Sequence, residues 1–434
     1  MRSRTSLGVT LLVTAFMLFS MFFGAGNLIF PPMLGVEAGT NFTPAMLGFL
    51  GTGVLLPVLG IIAIAISGDN LRDLAFRGGR IFGLVFPVVA YLAIGAFYAL
   101  PRTGAVAYET ALQPITGWDS VLASAAFNAV FFGVGLLLAW NPRSIVKNLG
   151  KFLTPALLAL LAVLVVIAVT TFDGSPGAPA EKYATAPLAT GLLEGYLTMD
   201  SIASLAFGII VISALKSSGV PTGAPLVRGT ILAGLGAGLL LGVIYVSLGV
   251  IGQIIPDPSL YDNGAGLLSD AANLAMGSTG QVIFGLIVLL ACLTTAVGLI
   301  AATSEFFHVL VPRISYRAWA IGFTLLSFAL ATMGLDTVLS VAAPVIGFIY
   351  PPAIALIAVT LLQPLLHHRI TMRWIFRLPI WTAVIWSALV TLGVDPLVAW
   401  SPLHDLSLGW VLPTVIALVI GALIDSRQKA LQPA

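Results

Sequence analysis

The sequence predicts an all-α membrane protein whose chain crosses the bilayer about twelve times. The chain has 434 residues, of which 59% are hydrophobic and only 8% are charged, and its mean hydropathy is +1.07. A soluble protein would carry about three times that charged fraction. Two further observations support the same fold class: the length of the apolar stretches and the placement of lysine and arginine. The net charge of +2 gives no indication of a nucleic-acid partner.

Twelve apolar stretches are long enough to cross a membrane, because a transmembrane helix needs about 20 mostly apolar residues. The stretches are continuous, whereas the strands of a membrane β-barrel alternate in polarity over about ten residues. The longest connections, 172–197 and 253–279, are rich in proline, glycine and aspartate. No soluble domain is predicted, so residues 1–434 form one membrane domain. The stretches are roughly 7–33, 43–66, 81–100, 120–140, 151–171, 198–215, 226–252, 280–307, 317–333, 337–361, 375–393 and 407–424.

Lysine and arginine collect on one side of this topology, at the N-terminus, in every second connection and after the last span. Only Arg102 and Lys182 fall on the opposite side. Basic residues are enriched in cytoplasmic loops, so both termini are predicted to be cytoplasmic. The residues that set this orientation are Arg2, Arg4, Arg72, Arg77, Arg80, Arg143, Lys147, Lys151, Lys216, Arg228, Arg313, Arg317, Arg369, Arg373, Arg377, Arg427 and Lys429.

Ionisable residues are nearly absent from the centres of the predicted spans, where they would mark proton relays and ion pathways. Asp200 is expected near the outer end of the sixth span and Glu305 near the inner end of the eighth. The four histidines fall at span ends or in connections. No zinc-binding spacing, catalytic triad or phosphate-binding loop is present, so the sequence predicts that the protein is not an enzyme.

The first span contains an interruption, in the stretch SMFFGAGNLIFPP at 20–32. Gly24 and Gly26 each weaken a helix by about 1 kcal/mol relative to alanine, and the ring of Pro31 clashes with the carbonyl group of Asn27. Broken backbone inside a bilayer persists only against protein or a watery cavity. The exposed helix end can then bind an anion, and free carbonyl groups can bind a cation. Tight helix packing or a simple proline kink would explain the same residues equally well.

A second interruption is expected in the sixth span, because discontinuous helices occur at corresponding positions of two inverted repeats. The stretch SIASLAFGIIVISAL places Gly208 at its centre. The first and sixth spans also run in opposite directions, as a five-plus-five inverted repeat requires. We therefore expect repeats at about 7–171 and 198–361, followed by two further helices at about 375–424.

Four stretches resemble the bacterial branched-chain amino acid:cation symporter family. They are LFSMFFGAGNLIFPPMLG (18–35), ALPRTGAVAYE (99–109), SLAFGIIVISAL (204–215) and YPPAIALI (350–357), and the resemblance covers nearly the whole chain. It implies Na⁺-coupled uptake of L-leucine, L-isoleucine and L-valine across the bacterial inner membrane. It also implies a LeuT-type fold in which the broken spans 1 and 6 hold the substrate. Ser213 departs from the family pattern, where asparagine is expected.

The resemblance also implies where the substrate would bind. Backbone N–H groups at the break in the first span would hold the substrate carboxylate, and carbonyl groups in the sixth span would receive its ammonium group. The side-chain pocket is expected to be apolar. The residues that the resemblance assigns to the substrate site are Gly24, Ala25, Gly26, Asn27, Phe207 and Gly208.

The resemblance also implies a cation site that proteins of this fold share. It joins carbonyl groups of the first span to hydroxyl groups of the eighth span in an A-x-x-[ST]-[ST] pattern, which residues 291–295 match as ACLTT. Paired threonines in a membrane helix also bond simply to earlier carbonyl groups of the same helix. The five Na⁺ ligands implied are the carbonyl groups of Ser20, Phe23 and Ala291 and the hydroxyl groups of Thr294 and Thr295.

These features predict a secondary symporter that works by alternating access, surrounded by membrane lipid and using no cofactor other than Na⁺ as coupling ion. An H⁺-coupled or exchange carrier for other neutral apolar amino acids is the main alternative. A channel would need repeated polar positions lining a pore, whereas these spans carry isolated polar residues.

Overall fold

The computed structural model of the chain describes residues 7–67, 70–141, 146–261 and 263–430. Within these ranges all regular structure is helical, and ten helices are long and apolar enough to cross a membrane. Two shorter apolar helices, Leu7–Phe22 and Tyr316–Ala331, accompany them. The predicted all-α, multi-pass membrane architecture is therefore confirmed, whereas the count of twelve crossings and the inverted repeat stay predictions. Among the residues that set the orientation, Arg2, Arg4, Arg143 and the side chain of Lys147 lie outside the description.

The α-helices follow one another with short connections, as the apolar pattern indicates. Four π-helical segments, at Gly51–Leu55, Ala93–Phe97, Tyr108–Leu112 and Val146–Leu153, separate some of them. In chain order the helices are α1 (Leu7–Phe22), α2 (Ala25–Ala38), α3 (Phe42–Leu50), α4 (Leu56–Ser67), α5 (Leu71–Ala75), α6 (Arg80–Leu92), α7 (Ala99–Ala107), α8 (Gln113–Thr116), α9 (Val121–Ala139), α10 (Thr154–Thr171), α11 (Glu181–Thr185), α12 (Pro187–Leu197), α13 (Asp200–Ser217), α14 (Ala224–Ile254), α15 (Gly264–Met276), α16 (Ser278–Leu310), α17 (Tyr316–Ala331), α18 (Leu335–Leu366), α19 (Trp374–Thr391) and α20 (Val411–Ala430).

The first span is interrupted, as its sequence predicts. Helix α1 ends at Phe22 and α2 begins at Ala25, and between them the backbone of Gly24 is extended (φ −121°, ψ −158°). Pro31 and Pro32 do not end the helix but lie inside α2. Helix α2 packs against α14 and α15, so neighbouring helices support it where each proline removes one backbone hydrogen bond. The glycines, rather than the prolines, therefore determine where the chain breaks.

The sixth span is also interrupted, but the break lies at Thr198 and Met199 instead of near Gly208. Helix α12 ends just before these two residues and α13 begins just after them, with Met199 in the left-handed region at φ 70°. Helix α13 continues through Phe207 and Gly208 without interruption. Gly208 serves packing instead, because a Cβ there would lie 2.5 Å from Ile64 Cγ2.

Two connections predicted as irregular contain helices. Helix α12 lies in 172–197 and α15 lies in 253–279. Helix α12 has only 11 residues, and α15 only 13, so neither reaches the roughly 20 apolar residues by which a membrane span is recognised. For this reason the sequence does not reveal α12, which forms the first half of the sixth span.

The third span extends beyond the predicted end at residue 100. Helical segments follow one another from Arg80 to Thr116, with only Tyr98 departing from helical backbone angles between α6 and α7. In the sequence, the apolar pattern stops at Pro101, whose ring disfavours a helix interior, and at Arg102, which is charged. Both residues nevertheless lie inside α7. Arg102 is therefore part of a membrane helix and not of a connection.

The two halves of the sixth span rest on the helices that flank one π-helical segment. Helix α12 packs on α3, and α13 packs on α4. The contact between α12 and α3 is backbone to backbone, because a Cβ at Gly48 or Gly191 would overlap the carbonyl oxygen of the facing helix. Thr52, in the π-helical segment Gly51–Leu55, bonds to both halves: its Oγ1 donates to the Leu192 carbonyl at 2.6 Å, and its own carbonyl accepts from Ser201 Oγ at 3.0 Å.

The last two helices also occur where the sequence predicts them, as α19 and α20. Asp425 of α20 is fully buried. Its Oδ2 accepts hydrogen bonds from the backbone N–H groups of Trp374 (2.8 Å) and Ile375 (2.9 Å). These are first-turn N–H groups of α19 without a partner in their own helix, so Asp425 fixes the start of α19 to α20.

Candidate functional site

The two helix breaks meet at one place inside the helical bundle. The N-terminus of α2 and the N-terminus of α13 both face it, together with α7 and α16. The first N–H groups of a helix have no partner within that helix. At α2, the Gly24 N–H donates to Asn27 Oδ1 at 3.1 Å, so one of these groups is satisfied locally.

A buried polar cluster joins the two breaks to α14. Asn27 Nδ2 donates to Asp200 Oδ2 at 2.6 Å, and Tyr245 Oη donates to the same oxygen at 2.8 Å. Asn27 Nδ2 also contacts Tyr245 Oη. The three residues are at most 3% exposed, and buried polar groups of this kind hold a unique arrangement when they are satisfied. Asn27 thus lies at the site, as the sequence predicts, and its partners tie α2 to α13 and α14.

Sequence reasoning missed two charged residues of the site. Asp200 is the first residue of α13 and lies at the second break rather than at an outer end. Arg102 is 8% exposed; its Nη1 donates to Tyr98 Oη at 2.8 Å, and its guanidinium lies 4.7 Å from the Tyr98 ring centroid. Their burial was not expected, because the sequence places Asp200 at a span end and Arg102 in a connection. The sequence around Arg102 gives no clear signal, because Glu109 follows it after only the short stretch TGAVAY.

A small, partly enclosed cavity of about 20 Å³ lies where these residues meet. Its volume suffices for about one water molecule. Of the residues predicted to contact the substrate, Gly24, Ala25, Asn27 and Phe207 line it, whereas Gly208 does not. The remaining lining is partly polar and mostly apolar: Met21, Phe22, Ile94, Ala99, Arg102, Thr103, Thr198, Met199, Asp200, Ala203, Thr295 and Leu299.

A larger open cleft of about 700 Å³ lies on the other side of Arg102. Gly26, the remaining predicted residue, lines this cleft together with Arg102, Phe30 and Asp270. A Cβ at Gly26 would lie 3.0 Å from Arg102 Nη2. The guanidinium group therefore rests against the first turn of α2 and lines both the small cavity and the cleft.

The predicted cation ligands lie partly together at the first break. Thr295 Oγ1 donates to the Ser20 carbonyl at 3.3 Å, and a Cβ at Gly24 would lie 2.8 Å from Thr295 Oγ1. Thr294 Oγ1 donates to the carbonyl of Ala291 in its own helix at 3.0 Å. Phe23, whose carbonyl completes the predicted set, lies in the break itself. The assignment of these five oxygens to Na⁺ stays a prediction.

Within the described ranges, no group of three or more His, Cys, Asp or Glu side chains is placed to hold a metal ion. The lone cysteine, Cys292, is buried in α16. The oxygens of the predicted ligand set are neutral carbonyl and hydroxyl groups, not the sulfur and nitrogen donors typical of zinc and copper sites.

Comparisons with known proteins identify the family of the chain. Residues 8–428 match the family described as "Branched-chain amino acid transport protein". The branched-chain amino acid permease BrnQ of Corynebacterium glutamicum is 55% identical over 425 residues, which cover 98% of this chain and 97% of that protein. The branched-chain amino acid permease BraB of Bacillus subtilis is 39% identical over 418 residues, or 94% of each chain.

Solved structures show the same fold at low identity. Mhp1, a nucleobase-cation-symport-1 family transporter in a closed conformation with bromovinylhydantoin bound, aligns with a TM-score of 0.62 at 17% identity and covers 96% of this chain and 93% of its own. A manganese transporter of Eremococcus coleocola aligns with a TM-score of 0.55 at 16% identity, covering 99% and 97%. These likenesses support the LeuT-type fold. By its match across nearly the whole length, the chain belongs to the branched-chain amino acid transport protein family, and it is a membrane transporter rather than an enzyme.

Proposed function

We propose that this chain is a secondary symporter that imports L-leucine, L-isoleucine and L-valine together with Na⁺ by alternating access. It works in the bacterial inner membrane with both termini cytoplasmic. The observation that carries the proposal is the meeting of two broken helices at one small cavity that has polar and apolar walls. Relatives named branched-chain amino acid permeases support the choice of substrate.

The carboxylate of the substrate binds at the start of α2. The N–H groups of Ala25 and Gly26 lie in the first turn of that helix, where the helix dipole is positive. The predicted ammonium contact needs revision, because the carbonyl groups of Phe207 and Gly208 lie within an unbroken helix. The carbonyl groups of Leu197 and Thr198 at the second break take that role in the proposal, since those of Gly195 and Tyr196 already accept hydrogen bonds from Thr198 and Met199.

The aliphatic side chain of the substrate lies against the apolar wall of the cavity. Phe22 and Phe207 face each other there with ring centroids 5.5 Å apart, and Ile94, Ala203 and Leu299 complete the wall. Because the cavity holds only about one water molecule when empty of substrate, these side chains must move apart to admit an amino acid. Burial of each methylene group then contributes about 0.8 kcal/mol.

Sodium is the proposed coupling ion because neutral oxygens suffice to bind it. One Na⁺ that moves down a tenfold gradient and ~100 mV yields roughly 1.4 plus 2.3 kcal/mol, which supports an accumulation of roughly several hundred-fold for a zwitterion. A proton would need a titratable group at the site. The buried carboxyl group of Asp200 supplies one, so an H⁺-coupled carrier is the second candidate.

The test is uptake of labelled leucine by purified protein in liposomes, under an inward Na⁺ gradient and with proton gradients collapsed by an ionophore. We expect saturable accumulation above equilibrium that disappears when choline replaces Na⁺, and exchange of internal for external leucine. Uptake that instead follows an imposed pH gradient without Na⁺ would establish the second candidate. Unsaturable flux without counterflow would indicate a channel.

Substrate selectivity gives a separate prediction. In the same liposomes, unlabelled isoleucine and valine should compete with labelled leucine, whereas glutamate and lysine should not. The physical reason is that the cavity carries one basic and one acidic side chain, Arg102 and Asp200, so the extra charge of a glutamate or lysine side chain beside Phe207 and Leu299 would be left unbalanced, at a cost of several kcal/mol. Strong competition by lysine would contradict this, and would place an acidic group opposite the substrate side chain.

A further inference from the structure

Arg102 and Asp200 are the two charged residues in the lining of the small cavity, and the Na⁺-coupled transport proposed above gives neither of them a role. Both are at least nine-tenths buried. Removing a charge from water costs several kcal/mol unless a partner compensates it. Two opposite charges around one cavity would compensate each other best as a direct ion pair.

They do not form that pair. In the part of the chain that the structure describes, the ion pairs within 4 Å are those of Lys182 with Glu37 and with Glu194. Arg102 is held by Tyr98 on its own helix, and Asp200 by Asn27 and Tyr245. Each charge is therefore held by its own hydrogen-bond partners. The cavity wall carries a basic group from α7 and an acidic group from α13.

The Arg102 side is suited to an anion. Arg102 Nη2 would lie 3.0 Å from a Cβ at Gly26, so the guanidinium group reaches the same first turn of α2 as the free backbone N–H groups. A guanidinium group has five N–H donors, and Tyr98 Oη accepts from one of its nitrogens. Arginine pairs with carboxylates through two parallel hydrogen bonds.

The Asp200 side is suited to a cation. The hydrogen bonds from Asn27 and Tyr245 both end on Oδ2, which holds the carboxylate in a fixed orientation at the cavity wall. Thr198 and Met199 line the cavity next to it, at the C-terminal end of α12. A helix C-terminus carries partial negative charge, so backbone and side chain favour a positive group at this position.

We infer that Arg102 and Asp200 bind the two ends of the transported amino acid, Arg102 its α-carboxylate and Asp200 its α-ammonium group. This inference rests on the proposed function, because it concerns the same cavity. It restricts the substrates to free α-amino acids that carry both charges. Amides and esters of leucine, and the acid that lacks the amino group, are excluded.

The test compares leucine with two analogues that each lack one charge: leucinamide, without the carboxylate, and 4-methylpentanoate, without the ammonium group. Affinity is measured by competition with labelled leucine and by the shift of the thermal unfolding midpoint in detergent. In the unmodified protein both analogues should bind at least about 10- to 100-fold more weakly than leucine, since a hydrogen bond to a charged group contributes about 1.5–3 kcal/mol. Leucinamide that binds as tightly as leucine would overturn the role of Arg102, with no variant needed.

Two variants separate direct binding from a structural role. Arg102→Gln should weaken leucine and 4-methylpentanoate about equally and leave leucinamide unchanged, and Asp200→Asn should weaken leucine and leucinamide but leave 4-methylpentanoate unchanged. Arg313→Gln and Asp257→Asn make the same chemical changes at exposed positions and should change none of the three. If both site variants weaken all three ligands alike, the inference is wrong while leucine transport still stands. If the unmodified protein does not transport leucine, the proposed function itself is wrong.

Discussion

Replacement of Gly24 or Gly26 by valine is expected to abolish leucine transport while the protein still inserts into the membrane. A Cβ at Gly24 would lie 2.8 Å from Thr295 Oγ1, and a Cβ at Gly26 would lie 3.0 Å from Arg102 Nη2. Each valine adds two further methyl groups at these contacts, and overpacking of this kind costs about 1–3 kcal/mol. The added atoms also occupy the space through which a carboxylate would approach the backbone of α2. The measurement is leucine uptake in liposomes, normalised to the amount of folded protein.

Gly242→Val is the matched control. Gly242 also lies inside a membrane helix, α14, but a Cβ there would meet no heavy atom within 4 Å, so transport should be retained. Size-exclusion profiles in detergent would show that the three variants are folded. Normal transport by both Gly24→Val and Gly26→Val would mean that these glycines serve only packing, and that the substrate binds elsewhere.

The second large effect is expected from replacing Thr294 and Thr295 together by alanine. The change removes two of the five oxygens proposed for Na⁺, and each hydrogen-bond-like contact to a charge contributes about 1.5–3 kcal/mol. The Na⁺ concentration for half-maximal uptake should therefore rise by about two orders of magnitude or more, or accumulation should end. It also removes the hydrogen bond from Thr295 Oγ1 to Ser20 that joins α16 to α1.

The double serine variant of the same two positions is the control, because it keeps both hydroxyl groups while it removes both methyl groups. It should retain a Na⁺ requirement close to that of the unmodified protein. Uptake that persists in the alanine variant without Na⁺, follows an imposed pH gradient and disappears in Glu305→Gln would show that a proton drives transport. Glu305 lines a cavity with Trp140, His308 and Arg317, away from the two breaks.

The parts of the site that could be predicted from the sequence are those with local signals. The break at Gly24 follows from two glycines in an apolar helix, because glycine weakens a helix wherever it occurs. The placement of Thr295 beside Ser20 followed from the resemblance of ACLTT to a known pattern, and the structure brings those residues together. The membrane architecture followed from the composition and from the length of the apolar stretches, because both are properties of the sequence and neither depends on packing.

The parts that could not be predicted depend on contacts between distant elements. The second break lies at Thr198 and Met199, where no glycine or proline marks it, and the helix before it is too short to be recognised by length. Arg102 interrupts an apolar stretch, and a charge is ordinarily a sign that a span has ended. It is tolerated inside a helix because Tyr98, one turn earlier, accepts its hydrogen bond and stacks under it, which is visible only once α7 is known to continue.

Thr52 has a mechanical consequence for how the two halves of the sixth span can move. Its hydroxyl group holds α12 and its carbonyl group holds α13, so a swing of either half about the Thr198–Met199 junction pulls on the same residue. In the alternating access that we propose, α12 and α3 move together, because they touch backbone to backbone. The bending that this movement needs then falls on the Thr198–Met199 junction and on the π-helical turn Gly51–Leu55, which Thr52 links.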